Sequence, residues 1–198
     1  MSWVVHRARG SAADFHDRDL PAERGVWVFE VVRPTVVLGS RQAIVDFPGF
    51  DVVRRRSGGG AVYLEPGGAL WVDVVVPRGD ALWDADVGRA PHWLGAAWAE
   101  AIGGKAVVHR EKMVTSEWSD VICFAGLGPG EVTIDGRKAV GISQRRTRER
   151  ARFQCVAYER WDPHPLVDLL AVDADLDGVG TGVGPLPTVE AAFLARFS

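Results

Sequence analysis

Three arginines, a serine and three glycines separate two strand-like segments at Arg54–Gly60. The apolar approach, residues 50–53, and the apolar continuation, residues 61–64, place this segment within a sheet. Glycine lacks a Cβ atom, so the loop backbone can approach a ligand closely and point successive N–H groups at an anion. The arginines add fixed positive charge and forked donors for phosphate or carboxylate. The segment therefore predicts an anion-binding loop that a sheet holds in place.

Hydrophobic periodicity predicts the elements around this loop. Apolar residues alternate over 70–76, which indicates a half-buried strand, and recur at helical spacing over 88–102. Strands dominate the middle of the chain and helices flank it, so we expect the α+β class, with a mixed, largely antiparallel sheet and flanking helices. The length of 198 residues, without a visible linker, predicts one domain over residues 1–198. Further strands are predicted at 26–32, 35–38, 50–55, 106–109 and 153–158, and further helices at 11–20, 165–170 and 189–197.

The clearest hairpin signal is Asp135-Gly136, which suits a two-residue type I′ turn between residues 132–134 and 137–140. This turn fixes the register, pairing Ile134 with Arg137 and Thr133 with Lys138. By strand alternation, Lys138 is then expected to share a face with Val140.

Charge and cysteine content limit what the chain binds and where it works. The net charge of −3 is unlike that of a bulk nucleic-acid binder. Two cysteines, Cys123 and Cys155, give no disulfide framework and predict a reducing, cytoplasmic setting. We see neither an apolar signal region at the start nor the about 18 apolar residues that span a bilayer. The histidines lack metal-ligand spacing. We expect no nucleic acid, no membrane partner and no protein-held metal site.

Three segments together resemble the lipoate–protein ligase family and its relatives. The sequence RRRSGGGAV at residues 54–62 resembles the family's signature loop. Residues 36–42 resemble an earlier segment, in which a hydrophobic strand ends in glycine and a glutamine follows. Residues 135–146 resemble the segment that carries the family's lysine. Order and spacing agree, so the resemblance covers roughly residues 25–160.

The resemblance implies the biotin/lipoate ligase fold and a defined reaction. Lipoate or octanoate would be activated with ATP and Mg²⁺ to acyl-AMP, and the acyl group passed to a lysine of a lipoyl carrier domain. Such carriers belong to 2-oxoacid dehydrogenases or glycine cleavage proteins. The resemblance gives the catalytic role to Lys138. The implied substrate- and nucleotide-binding residues are Gln42, Arg55, Arg56, Ser57, Gly58, Gly59, Gly60, Ala61 and Gly141.

A lysine suits the proposed chemistry, because its ammonium can donate to a carbonyl oxygen and a phosphate oxygen together. One preorganised donor of this kind is typically worth about 3–4 kcal/mol. We therefore expect Lys138→Ala to fold and to lose most of the activity.

Strand alternation also bears on which arginine meets the ligand. Arg54 and Arg56 point one way and Arg55 the other, and we expect Arg56 and Ser57 to lie closer to the ligand than Arg55. The acyl chain needs shielding from water, for which the candidates are Trp71, Val72, Val74 and Val140.

Cys123 supports a second interpretation. Its position resembles that of the cysteine in an octanoyltransferase branch, where a thiolate takes the acyl group from acyl carrier protein, and a neighbouring lysine would favour the thiolate. A cysteine between Ile122 and Phe124 also suits a small buried apolar residue. Two alternative functions therefore stay open: an octanoyltransferase that uses Cys123, and a non-catalytic module that binds acyl groups or acyl-AMP.

Two sets of charged residues remain without an assigned role. The basic run at 145–152 is typical of a solvated hairpin tip, or of a surface that docks an acidic carrier domain. Glu117, Asp120 and Asp73 are carboxylates near the signature segments, and the sequence does not choose among them as Mg²⁺ contacts.

Overall fold

Two β-sheets and four α-helices are formed in the computed structural model, which describes residues 2–173 and 175–198. The strands are β1 (Val4–Gly10), β2 (Gly25–Val31), β3 (Thr35–Leu38), β4 (Asp51–Arg54), β5 (Val62–Leu64), β6 (Ala69–Pro77), β7 (Ala106–Val108), β8 (Val132–Ile134), β9 (Arg137–Arg146) and β10 (Arg150–Tyr158). The helices are α1 (Ala12–Asp17), α2 (His92–Ile102), α3 (His164–Leu169) and α4 (Leu186–Leu194). The α+β prediction is confirmed.

The larger sheet has the order β1-β2-β6-β10-β9-β8-β7, and the smaller has the order β4-β3-β5. Only two strand pairs in the described chain, β1–β2 and β3–β4, are parallel, so the sheets are mixed and largely antiparallel as expected. Parallel neighbours need a crossover, and α1 lies in the connection between β1 and β2. Ser11 caps α1 by accepting a hydrogen bond from the Asp14 N–H at 3.1 Å.

The prediction of a half-buried β6 was wrong, because both of its faces are buried. One face, with Val72 and Val74, packs in a cluster with Trp98 of α2 and Phe193 of α4. The other face, with Trp71, packs in a second cluster with apolar residues of the smaller sheet. The larger sheet is therefore the middle layer, and the space between the two sheets lies on its second face.

The sequence pattern also missed strand β1. Val4 and Val5 are 51% and 41% exposed, and the strand lies at a sheet edge, so it lacks apolar alternation. Within residues 2–173 and 175–198, we find no helix with the length and apolar character that a membrane crossing requires.

The Asp135-Gly136 hairpin has the predicted register, with Ile134 opposite Arg137 and Thr133 opposite Lys138. A bulge then shifts the pairing so that Val132 faces Val140. Val140 packs in the cluster with Trp98 and Phe193, which we call the helix-side core. The Lys138 ammonium lies on the opposite face of the sheet, 5.1 Å from the centre of the Phe124 ring. The expectation that Lys138 and Val140 share a face was wrong, and the bulge is the physical reason.

Candidate active site

A cavity of about 470 Å³ lies between the two sheets, and Lys138 and the glycine loop line it together. Lys138 stands near the start of β9, whereas Ser57, Gly58 and Gly59 follow β4. The loop is tied to β9 directly, because the Ser57 hydroxyl donates to the Ser143 hydroxyl oxygen at 3.2 Å. The fold thus brings the two separate sequence motifs to one site.

The floor of the cavity is one face of the larger sheet. Gly141 of β9 pairs with Val156 of β10, which pairs with Trp71 of β6, so these three residues form a row on this face. The roof over this row includes Val37, Val62 and Leu64 of the smaller sheet, which is the apolar side of the cavity. Of the four residues expected to shield an acyl chain, Trp71 lines the cavity, whereas Val72, Val74 and Val140 belong to the core on the other face.

Arg55, rather than Arg56, lies at the cavity. Arg55 is 5% exposed and donates to the carbonyl oxygens of Val37, Gly58 and Gly60, at 3.2, 2.8 and 2.7 Å. Arg56 is exposed, lies outside the cavity lining and is 3.6 Å from Asp17. The expectation that Arg56 lies closer to the ligand site than Arg55 was therefore wrong. Because three of its N–H groups donate to backbone carbonyl oxygens, the Arg55 guanidinium stabilises the conformation of the loop.

Close backbone contacts explain two of the glycines. A Cβ atom on Gly39 would lie 1.8 Å from the carbonyl oxygen of Gly59, and one on Gly60 would lie 2.4 Å from the backbone nitrogen of Ile122. Neither position tolerates a side chain without movement of the neighbouring backbone. The loop is thus packed against the end of β3 and against the segment that carries Cys123.

Three residues expected to bind substrate or nucleotide stabilise the loop and do not line the cavity: Gln42, Gly60 and Ala61. Gln42 accepts from the Gly39 N–H at 2.8 Å and donates to the Val121 carbonyl at 3.1 Å. Ala61 exchanges backbone hydrogen bonds with the segment 121–123, at 2.7 and 2.9 Å. These bonds hold the loop against the end of β3 and the segment 121–123.

Gly60→Ala is expected to lower the free energy of unfolding by about 1–3 kcal/mol, because the new methyl group overpacks the Ile122 backbone. Gly58→Ala is the matched control, since a Cβ atom there meets nothing within 4 Å, and its effect should stay within about 0.5 kcal/mol. Urea denaturation of the two variants measures the difference. Equal stabilities would contradict the packing described here.

Lys138 is buried, and its ammonium contacts three oxygen acceptors. Its Nζ lies 2.8 Å from Glu131 Oε2 and donates to the carbonyl oxygens of Gly126 and Cys123 at 3.0 and 3.1 Å. The side chain is 3% exposed. Burial alone would lower the pKa of Lys138, but Cys123 and the Glu131 carboxylate beside it raise that pKa above its ordinary value. The lysine is therefore a fixed ammonium ion at neutral pH.

Glu131 is a site residue that the sequence patterns did not reveal. It accepts from the N–H groups of Gly128 and Ile142, at 2.6 and 3.0 Å, in addition to its ion pair with Lys138. The carboxylate thus joins the loop before β8 to the strand that carries the lysine. Glu131 precedes β8 in an irregular Gly-Pro-Gly segment, where no periodicity marks it as buried.

Cys123 lines the cavity close to Lys138, with 3.9 Å between Sγ and Nζ. It begins a short 3₁₀ helix at Cys123–Ala125 and is partly buried. Cys155, by contrast, is fully buried in the helix-side core, and burial strongly raises the pKa of its thiol.

A second polar group of residues lies at another part of the cavity wall. Buried Asp73 pairs with Arg152 at 2.5 Å and accepts from the Trp71 indole N–H at 2.7 Å. His16 and Gln154 line the cavity beside this pair, and the His16 ring packs on Trp71 with 4.7 Å between ring centroids. The sequence carried a signal for His16 that we missed. It lies four residues after buried Ala12, on the inner face of α1.

The basic run at 145–152 is neither uniformly solvated nor a single surface. Arg146 stacks over Trp83 at 4.2 Å, Arg150 pairs with Asp19, and Arg152 is buried against Asp73. Arg152 also donates to the carbonyl oxygens of Phe15, His16 and Arg18. Its role is to attach α1 to the larger sheet and thereby to position His16.

Two polar atoms of the cavity lining are buried and lack a hydrogen-bond partner among the described residues. They are Nε of Arg55, a charged donor, and Oε1 of Gln144, an acceptor. Buried polar groups are normally paired, so an unpaired charged donor and an unpaired acceptor in one lining favour a polar, anionic ligand for this cavity. The apolar side of the same cavity suits an aliphatic chain.

The sequence and the fold both match known proteins. Residues 14–186 match the family described as "Lipoyl protein ligase A/B catalytic domain". A lipoate–protein ligase 1 of Staphylococcus aureus is 40% identical over a segment that covers 25% of this chain and 18% of that protein. The chain thus matches less than a fifth of that relative's length.

Two solved structures are similar over the whole of this chain. A lipoate-protein ligase A bound with ATP gives a TM-score of 0.67 at 15% identity, with 85% of its own chain covered. A putative lipoate protein ligase from T. acidophilum with bound lipoic acid gives 0.66 at 17% identity, with 84% covered. At these identities the two structures show a shared fold. The match over residues 14–186 extends that likeness to the sequence, and the chain therefore belongs to the lipoyl protein ligase A/B catalytic domain family.

Proposed function

We propose that this chain is a ligase that activates lipoate or octanoate with ATP to acyl-AMP and transfers the acyl group to a lysine of a lipoyl carrier domain. The observation that carries the proposal is the shared cavity, in which the Lys138 ammonium and the glycine loop border an apolar compartment. ATP and lipoic acid, each bound to a protein of the same fold, support the choice of substrates.

The aliphatic part of the acid would occupy the apolar compartment between the sheets. Val62 and Leu64 form its roof and Trp71 its floor. Burial of a methylene group in such a compartment contributes about 0.8 kcal/mol. The carboxylate would then lie towards Lys138.

In the first step, a carboxylate oxygen of the acid forms a bond to the α-phosphorus of ATP, and the bond to pyrophosphate breaks. Lys138 would stabilise the charge on the oxygens of the resulting anhydride. Its ammonium must release at least one of the Gly126 and Cys123 carbonyls to do so, because its donors are engaged. A phosphate oxygen is charged and a carbonyl oxygen is neutral, so this exchange is favourable.

In the second step, the amine of the carrier lysine attacks the acyl carbon, and the bond to AMP breaks. The Lys138 ammonium would again donate to the oxygen on which negative charge develops. Val87 and Met113 belong to the cavity lining and are exposed, so the carrier amine would reach this carbon from their side.

ATP fits the residues that are present, since Arg55 Nε and Gln144 Oε1 are both buried and without partners in the described chain. Mg²⁺ would have to come with the phosphates, because no three of the described His, Cys, Asp and Glu residues are grouped to hold a metal. Asp120 is the one carboxylate of the three considered above that lines the cavity. Asp73 is committed to Arg152 and Trp71.

The test is the exchange of radioactive pyrophosphate into ATP in the presence of octanoate or lipoate. We expect exchange that depends on either acid, followed by transfer to an added lipoyl domain. ATP-independent transfer from an octanoyl thioester, abolished in Cys123→Ser, would contradict the proposal and favour an octanoyltransferase. Acyl-AMP binding without exchange or transfer would favour a non-catalytic module.

A further inference from the structure

Two backbone N–H groups hold the Glu131 carboxylate in place beside the Lys138 ammonium. Its Oε1 atom accepts from the Ile142 N–H at 3.0 Å, and its Oε2 atom accepts from the Gly128 N–H at 2.6 Å. Oε2 also lies 2.8 Å from Lys138 Nζ. A charge-assisted contact of this kind is about twice as strong as one between neutral groups. We therefore expect the ammonium to keep its contact with Glu131 when it turns to a ligand.

The two carbonyl acceptors of the ammonium are neutral, and one of them has a second donor. The Cys123 carbonyl accepts from the Gly126 N–H at 3.3 Å as well as from Lys138 Nζ at 3.1 Å. It therefore stays paired when the ammonium leaves, and its release avoids the cost of an unpaired buried acceptor. An ammonium has three N–H donors. One of them can thus pass from Cys123 to a ligand oxygen while another remains on Glu131.

The rest of the lysine is held on both sides. Its backbone N–H donates to the Val179 carbonyl at 3.0 Å, and its own carbonyl accepts from the Thr181 N–H at 2.8 Å. The side chain is 3% exposed, and the ammonium lies 5.1 Å from the centre of the Phe124 ring. A large swing of the side chain would disturb this packing, whereas rotation of the charged group would not. The contact with Glu131 is the natural pivot for that rotation.

The charges that face Lys138 act in opposite directions. Burial and the Arg55 guanidinium lower the pKa of Lys138, whereas Cys123 and the Glu131 carboxylate raise it, and the net direction is upward. Without the Glu131 carboxylate, burial and Arg55 would be opposed by Cys123 alone. The pKa of the lysine would then be lower, and the ammonium would lose its proton at a lower pH.

We propose that Glu131 is a positioning residue for acyl-adenylate formation, which holds one donor of the Lys138 ammonium while the other donors turn to the ligand. This inference rests on the proposed function. The two oxygens of Glu131 already serve three donors, so the residue acts through the lysine and not on the ligand directly. Its negative charge also keeps the lysine protonated.

The test is pyrophosphate exchange at saturating acid and ATP, measured from neutral to alkaline pH in the wild-type protein and in Glu131→Gln. Glutamine keeps the volume but turns an NH₂ group towards at least one of the three donors. Exchange should be about tenfold slower at neutral pH, the size of one charge-assisted hydrogen bond. It should also decline at a lower pH than in the wild-type protein, because the lysine loses its proton earlier.

Two further variants control for charge and for folding. Glu131→Asp keeps the negative charge but withdraws it from the lysine, so it should lower the rate and retain the wild-type pH dependence. Glu111→Gln removes the same charge from an exposed position outside the cavity lining, and it should match the wild-type protein. If Glu131→Gln fails to fold, Glu131→Asp decides: a reduced rate in folded protein supports the inference, and a wild-type rate overturns it.

The pH dependence separates positioning from a merely structural role. A rate in Glu131→Gln that is reduced equally at every pH, in proportion to the fraction of unfolded protein, would overturn the inference. Wild-type exchange that neither Glu131 substitution alters would overturn it as well and leave the ligase proposal standing. Absence of exchange in the wild-type protein would overturn both.

Discussion

Replacing Lys138 by methionine is expected to slow acyl-adenylate formation about 10²–10³-fold, because the substitution removes a preorganised ammonium group at the anhydride. Methionine keeps much of the volume in a site where the lysine is 3% exposed. The rate is measured as pyrophosphate exchange at saturating acid and ATP. A variant that folds and keeps near-normal exchange would contradict the role of Lys138.

Glu131 complicates the expectation that a single substitution of Lys138 leaves the fold intact. Without the ammonium, the Glu131 carboxylate is buried and unpaired, which typically costs about 3–5 kcal/mol. The double variant Lys138→Met/Glu131→Gln removes both charges and should recover most of this stability without recovering the exchange. Thermal unfolding of the single and double variants separates the structural effect from the chemical one.

Arg152→Met should also lower the free energy of unfolding by about 3–5 kcal/mol. The substitution leaves Asp73 buried without its cation and frees the carbonyl oxygens of Phe15, His16 and Arg18. Guanidinium chloride denaturation provides the measurement.

Arg150→Met is the matched control, because Arg150 lies two residues away on β10 and pairs with Asp19, which is 89% exposed. Exposed pairs contribute about 0–1 kcal/mol, so this variant should remain close to the wild-type protein. Similar losses in the two arginine variants would show that the buried pair has no special role in holding α1.

The strands and helices of the core were largely predictable, because their apolar patterns reflect burial directly. The capped helix at Ser11 and the hairpin at Asp135-Gly136 were confirmed for the same reason, since caps and tight turns depend on local chemistry. Strand β1 was missed because an exposed edge strand carries no such pattern. The faces of Lys138 and Val140 were misjudged because a bulge leaves no local mark in sequence.

The residues of the candidate site could be predicted where a local sequence motif identifies them. They could not be predicted where their contacts come from distant parts of the chain. The glycine loop and Lys138 were placed by their motifs, and they do line one cavity. Whether an arginine beside the loop points in or out depends on its pairing with β3, so Arg56 was chosen where Arg55 is buried. Glu131 and Gln154 meet their partners only through tertiary contacts.

A calorimetric titration with a non-hydrolysable octanoyl-adenylate analogue tests most directly that the ammonium and the glycine loop serve one ligand. We predict a single saturable site in the wild-type protein and a clear loss of affinity in Lys138→Met/Glu131→Gln. Absence of binding, or an affinity that the double substitution leaves unchanged, would contradict the account.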